Sequence, residues 1–178
     1  MTAQAPIHAG SLILRLLTQH DAASLQTLCC ACADYFQEIT GLPPGPAEAQ
    51  TMFTAIPPHG DYRKKRLWGV FDGQRLIGVA DGAFDHPRPG HFWIGLLMLE
   101  PAARRSGRGR AIVEAIDAYA RDEGARVLSL AVKNDYAAAE AFWTSQGFSP
   151  VGSRAVPMGG SLVDFVLMDR PLLSLIHI

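Results

Sequence analysis

Apolar and polar positions alternate through Ser11 to Leu17 ("SLILRLL"), which predicts a strand. The period then lengthens: in "LQTLCCACADYF" the apolar residues Leu25, Leu28 and Cys29 fall on one helical face, and either Thr18 or Asp21 can cap the helix start. Pro43, Pro44, Gly45 and Pro46 end that helix, and residues 47–55 predict a short second one before the break at "IPPHGD". Next, "RLWGVFD" and "RLIGVADGAFD" flank Asp72 to Gln74, an Asp-Gly turn between two apolar alternations and hence a hairpin. "HFWIGLLMLE" predicts a third successive strand. Beyond Gly109 the period is helical again, with Ile112, Val113, Ile116, Tyr119 and Ala120 opposite Glu114, Asp117, Arg121 and Asp122, and Gly124 placed to end the helix. "RVLSLAV" follows as a nearly continuous apolar strand, the form expected when both sheet faces are covered. Strand, helix, strand makes a βαβ unit with one parallel pair and a right-handed crossover. A further helix over residues 137–146 ends at Gly147, and "FSPVG" and "SLVDFVLMD" close the sheet.

Composition narrows this picture. The chain has 178 residues, 48% hydrophobic and 19% charged, enough for a core of its own, and divides into a flexible segment 1–10, one domain 11–170 and an apolar tail 171–178. The tail "PLLSLIHI" suits either packing on a partner subunit in a homodimer or appended sequence. No apolar run of about 18 residues occurs and nothing resembles a signal peptide, so the expectation is a cytoplasmic protein without a membrane partner. Cys29, Cys30 and Cys32 are crowded and odd in number, which predicts free thiols rather than disulfides or a metal site. "DHPRPGH", with Asp85, His86 and His91, predicts a turn, so no metal is expected there either.

The formal net charge of -1 makes the four arginines of "EPAARRSGRGRA" a local device and argues against nucleic acid as partner. They sit between the carboxyl end of a strand and the amino end of a helix, where unpaired N–H groups and the helix dipole favour an anion. Gly107 and Gly109 allow close backbone approach, and Arg104, Arg105, Arg108 and Arg110 offer forked donors suited to phosphate. A pyrophosphate is the natural occupant. A Walker A loop lacks its Gly-Lys-Ser/Thr ending here, and a dinucleotide fingerprint would need glycine where Ile112 stands.

The remaining pattern, Arg-x-x-Gly-x-Gly at Arg104, Gly107 and Gly109, resembles motif A of the GNAT superfamily of acyl-CoA-dependent N-acyltransferases. "AAAEAFWTSQGF" is similar to the family's next helix and the Gly-Phe that opens the following strand, and the resemblance covers about residues 11–169. It implies an α/β (α+β) fold with a mixed, mostly antiparallel sheet of about seven strands, splayed at a central parallel pair. The cosubstrate implied is acetyl-CoA, its pyrophosphate held by Arg104, Arg105, Ser106, Gly107, Arg108, Gly109 and Arg110, and its pantetheine arm by the backbone of Leu97, Met98 and Leu99 with Asn134, Phe142 and Trp143.

Acetyl transfer needs a neutral amine, yet a lysine-like amine has a pKa of about 10.4, so a base or a desolvating pocket must help. His91, near the position where some relatives place a glutamate, is one candidate base, and Glu100 is a weaker one. Many relatives protonate the departing thiolate with a tyrosine, but Trp143 stands at that position here, which leaves water or Tyr136 as the source. Asp34, Tyr35 and Glu38 offer a site for a cationic amine on a small molecule or peptide, with a solvated helix face as the plainer reading of at least one of them. Because the usual acid is missing, an acyl-CoA sensor or interaction module on the same fold stands beside the enzyme.

Overall fold

The computed structural model describes residues 4–158 and 160–173. The described residues form a single eight-stranded sheet in the order β1-β2-β3-β4-β5-β6-β8-β7. Its strands are β1 (Ile7–Ala9), β2 (Leu12–Leu16), β3 (Lys65–Asp72), β4 (Arg75–Phe84), β5 (His91–Leu99), β6 (Val127–Lys133), β7 (Ser149–Met158) and β8 (Ser161–Pro171). Every neighbouring pair is antiparallel except β5 and β6. Five α-helices flank it: α1 (Ala22–Ala31), α2 (Ala33–Thr40), α3 (Glu48–Thr54), α4 (Arg108–Asp122) and α5 (Ala137–Ser145).

The alternation read from the sequence assigns the two faces. Trp68, Val70, Ile77 and Ala80 pack toward α4 with Ile112, Ile116, Leu128 and Met168. Their neighbours in sequence, Leu67 and Val79, together with Met98, pack toward α1, α2 and α3 on Leu25, Leu28 and Phe53. The period of two thus builds a core on each face of the central strands.

Three boundaries differ from expectation. Residues 7–10 are not a loose end: Gly10, at φ 63, reverses the chain so that Ile7 pairs with Leu14 and Ala9 with Leu12, and Ala9 is buried, while residues 1–3 of the expected flexible segment lie outside the described residues. The helix expected to run through Phe36 breaks at Cys32, whose amide reaches both Leu28 and Cys29 carbonyls while its thiol donates to the Leu99 carbonyl at 3.4 Å. Strand β8 extends through Pro171, and the Leu172 amide donates to the Arg126 carbonyl at 2.8 Å, so the start of the apolar tail belongs to the sheet; residues 174–178 lie outside the described residues.

Candidate active site

The parallel pair is short. β5 and β6 are in register only from His91↔Val127 to Ile94↔Leu130, although β5 runs on to Leu99 and β6 to Lys133. The strands part at a bulge: Asp81 pairs with Leu96 and Gly82 with Ile94, leaving Gly95 as the extra residue of β5. Beyond it the hydrogen-bonding pattern is legible. The Glu100 amide donates to the Ile77 carbonyl at 2.9 Å, so antiparallel alternation turns the peptide groups of Met98 toward β4 and those of Leu97 and Leu99 away from it, into the gap. Of the three residues expected beside the arm, all of which line the cleft, Leu97 and Leu99 turn their peptide groups into the gap, whereas those of Met98 face β4 and its side chain is buried toward α1. The Leu99 carbonyl is taken as well, by Arg104 Nε at 2.8 Å and by Cys32 Sγ.

The gap opens into a cleft of about 1060 Å³, at the upper end of the ~300–1,000 Å³ usual for a small-ligand pocket. Its lining draws on both sheet faces: Gly107, Gly109, Ala139, Phe142 and Trp143 from the α4 and α5 side, and Tyr35, Ile39, Pro58 and Phe165 from the side of α2 and α3. The cleft passes through the sheet where the strands part.

At one end stands the arginine loop. Arg105 at φ 55 and Gly107 at φ 79 curl the backbone ahead of α4, and the first helical bond is from the Ala111 amide to the Gly107 carbonyl at 3.1 Å. The amides from Arg105 to Arg110 have no backbone acceptor among the described residues, which makes them an anion nest at a helix N-terminus. The four arginines divide. Arg105 has no ion pair among the described residues and lines the cleft. Arg104 also lines it, holding the Asp34 carboxylate and lowering the pKa of that acid through the hydrogen bond. That pair is half-exposed and contributes at most ~1 kcal/mol. Arg110 lines the cleft while bonded to Glu114 at 2.9 Å. Arg108 instead turns its guanidinium back to Asp72 at 3.1 Å, outside the cleft lining, and its amide is what it offers the nest. The Ser106 hydroxyl is spent on the Ala103 carbonyl at 2.9 Å, leaving its amide as the contribution to the nest. Gly109 has a second reason to be glycine, since a Cβ there would lie 3.2 Å from the Phe142 ring.

The other sequence candidates scatter. Phe142 and Trp143 line the cleft, and Trp143 packs edge-on against Phe142 and Phe148 at 5.0 and 5.3 Å, as a wall rather than a proton donor. Tyr136, just before α5, lines it too, whereas Asn134 does not and its amide donates to the Asp164 carbonyl at 2.8 Å. Tyr35 lines the cleft, its phenol pushed up to about 12 by burial, with Tyr136 nearby adding to the shift. Glu38 is outside the lining and accepts from Lys133 Nζ at 3.0 Å. Asp34, which lines the cleft, and Glu38 thus each carry a cationic partner of this chain, Arg104 and Lys133.

His91 belongs to a different place. It stands at the closed end of β5, six positions before Leu97, or about 20 Å at ~3.3 Å per residue. Its Nε2 accepts from Arg88 Nε at 3.0 Å and its Nδ1–H donates to Ser129 Oγ at 2.7 Å, which in turn donates to Asp169 at 2.7 Å. Burial, opposed by Asp169 and reinforced by Arg88 and Arg126, keeps this imidazole neutral by lowering its pKa. Both ring nitrogens are committed, and neither reaches the gap. Sequence reasoning missed Trp93, Lys133 and Arg154 as lining residues, because they meet only through strand pairing.

The chain matches the model of the acetyltransferase (GNAT) family over residues 32–148. Comparison with curated protein sequences gives no significant match. Among solved structures, an acetyltransferase from Thermus thermophilus is 24% identical, with 93% of this chain and 100% of that one covered at a TM-score of 0.69. A probable GNAT-family acetyltransferase from Chromobacterium violaceum is 18% identical, covering 96% and 87% at 0.80. The Salmonella typhimurium acetyl transferase that modifies the N-terminal serine of ribosomal protein L7/L12 is 18% identical, covering 94% and 99% at 0.77. Fold and family match together define an acyltransferase. The chain belongs to the GNAT acetyltransferase family, whose cosubstrate is acetyl-CoA.

Proposed function

We propose that the chain transfers the acetyl group of acetyl-CoA to a primary amine of a small molecule or peptide by direct attack within a ternary complex. The observation that carries this reading is the continuity of the gap at Leu97 with the amide nest at the start of α4. Bound acetyl-CoA supplies an activated thioester. The nest and Arg105 fit its pyrophosphate, Phe142 and Trp143 flank the arm, and the Leu97 N–H is the donor for the thioester oxygen as charge builds there. The amine lone pair forms the C–N bond while the C–S bond breaks with its electron pair going to sulfur. No free carboxylate lines the cleft among the described residues, so the amine is kept neutral by desolvation and by the nearby cations, and its proton leaves to solvent. Tyr136 in the cleft wall is the residue-borne proton source for the thiolate, beside water.

Calorimetric titration tests the first half: acetyl-CoA should bind on the order of a hundredfold more tightly than acetyl-pantetheine, which has no pyrophosphate for the nest. Thiol release with a panel of amines tests the second. Tight acetyl-CoA binding with thiol release never above the amine-free background would favour the sensor module and overturn the enzyme.

A further inference from the structure

The acceptor half of the cleft carries a charge pattern opposite to that of a site for cations. Strand pairing sets Lys133 of β6 opposite Phe165 of β8, and Phe165 opposite Arg154 of β7, so the three form one row across the sheet and project from the same face. All three line the cleft. Lys133 Nζ is fixed by the Glu38 carbonyl at 2.8 Å and carboxylate at 3.0 Å, whereas Arg154 has no ion pair or hydrogen bond among the described residues. The acids of that face are spent: Asp34 on Arg104, and Asp81 on Lys65, whose Nζ meets both carboxylate oxygens at 2.7 and 2.6 Å. Beside Arg154 the wall is apolar, with Trp93, Val156 and Met158. The charge of Arg154 is also felt by His86, the imidazole that packs edge-on to Trp93 at 5.1 Å and whose pKa is lowered by burial first and by Arg154 second.

From this geometry we infer that the acceptor is an amino acid whose free carboxylate pairs with Arg154 while its apolar body lies on Trp93 and Phe165. The inference rests on the transfer reading above and narrows its acceptor. A guanidinium matches a carboxylate through two parallel N–H donors, and the unpaired Arg154 offers both. The pairing also orients the reactant: with the carboxylate held at β7, the amine of a compact amino acid points back along the row toward the gap at Leu97. A polyamine would bring its charges against Arg154 and Lys133, and the amino end of a peptide has an amide carbonyl in place of the carboxylate.

The test is a panel of apolar α-, β- and γ-amino acids, each assayed beside its carboxamide and beside a dipeptide that starts with it, with thiol release and product mass read together. The best amino acid should exceed its carboxamide by about tenfold or more in kcat/KM, although the amide has the less basic and hence more neutral amine. Arg154→Gln, at an exposed edge-strand position, should raise KM for the amino acid until the two are within about threefold, with acetyl-CoA affinity unchanged. Preference for the carboxamide or dipeptide overturns the inference, as does a preference for the acid that survives in Arg154→Gln. Turnover of any amine in those cases leaves the transfer reading standing. Absence of turnover with every amine, while acetyl-CoA binds, overturns the transfer reading and the acceptor assignment with it.

Discussion

The two ends of the β5–β6 pair lie on the same two strands and behave as opposites. At the His91 end the strands are in register, and His91, Ser129 and Asp169 tie β5, β6 and β8 together through two hydrogen bonds of 2.7 Å. At the Leu97 end the strands diverge after one bulged glycine, and peptide groups that would complete a ladder face a cleft. Buried backbone groups are nearly always paired, so strand ends that leave them open need a ligand or water to satisfy them. The cleft here is thus an interrupted ladder, hydrogen-bonded at its closed end and unpaired at its open one.

The largest test of that contrast is to remove the amide that the open end presents. Leu97→Pro deletes an N–H that takes no part in the β4 ladder, so it should lower kcat by on the order of 10²–10³ with acetyl-CoA affinity within a few fold. A kcat within threefold of the parent would show that the donor lies elsewhere. Gly107→Val comes next. At φ 79 a β-branched residue is strained by roughly 1–3 kcal/mol, and the nest should open, weakening acetyl-CoA binding by about 10- to 100-fold in calorimetry. Unchanged affinity would remove the anion site.

The smallest effect on turnover belongs to the closed end. His91→Ala removes the donor to Ser129 Oγ, which keeps its bond to Asp169, and empties a buried position, so it should cost about 1–3 kcal/mol in chemical denaturation, while the pH dependence of kcat/KM keeps its shape. A reshaped pH profile would return His91 to the chemistry. The folded state lowers the pKa of His91 below 6.5, so its neutral form contributes stability above that pH, and the contribution is lost as acid protonates the ring against Arg88. Parent and variant should therefore converge in stability as pH falls below about 6.5. A gap that stays constant down to pH 5 would show that the ring does not titrate with folding.

Much of this molecule is local and was therefore legible. Periodicity gave the hairpin at Gly73, the paired cores on alternate residues, the βαβ unit and α4, because each depends on neighbours within a few positions. The arginine loop was legible for the same reason: strand end, glycine at a left-handed turn and helix start are contiguous, so the amide nest is written in one short segment. Less legible was what each side chain does once placed. Arg108 and Arg105 are alike in sequence, yet Asp72 in the β3–β4 turn claims one and not the other. Asp34 and Glu38 read from the sequence as free acids, yet Arg104 and Lys133 reach them from elements about 70 and 95 residues away.

By itself the sequence determined the order of elements, the core faces and an anion site made of backbone, all of which follow from spacing along the chain. Only the tertiary structure decided that β5 and β6 separate after Ile94, that His91 lies at the closed end, and that Lys133, Phe165 and Arg154 form one row. Those facts depend on register between strands far apart in sequence. Side-chain direction has a period of two, so a shift of one residue in that register would turn Arg154 to the other face, and nothing local to residue 154 specifies which register is taken.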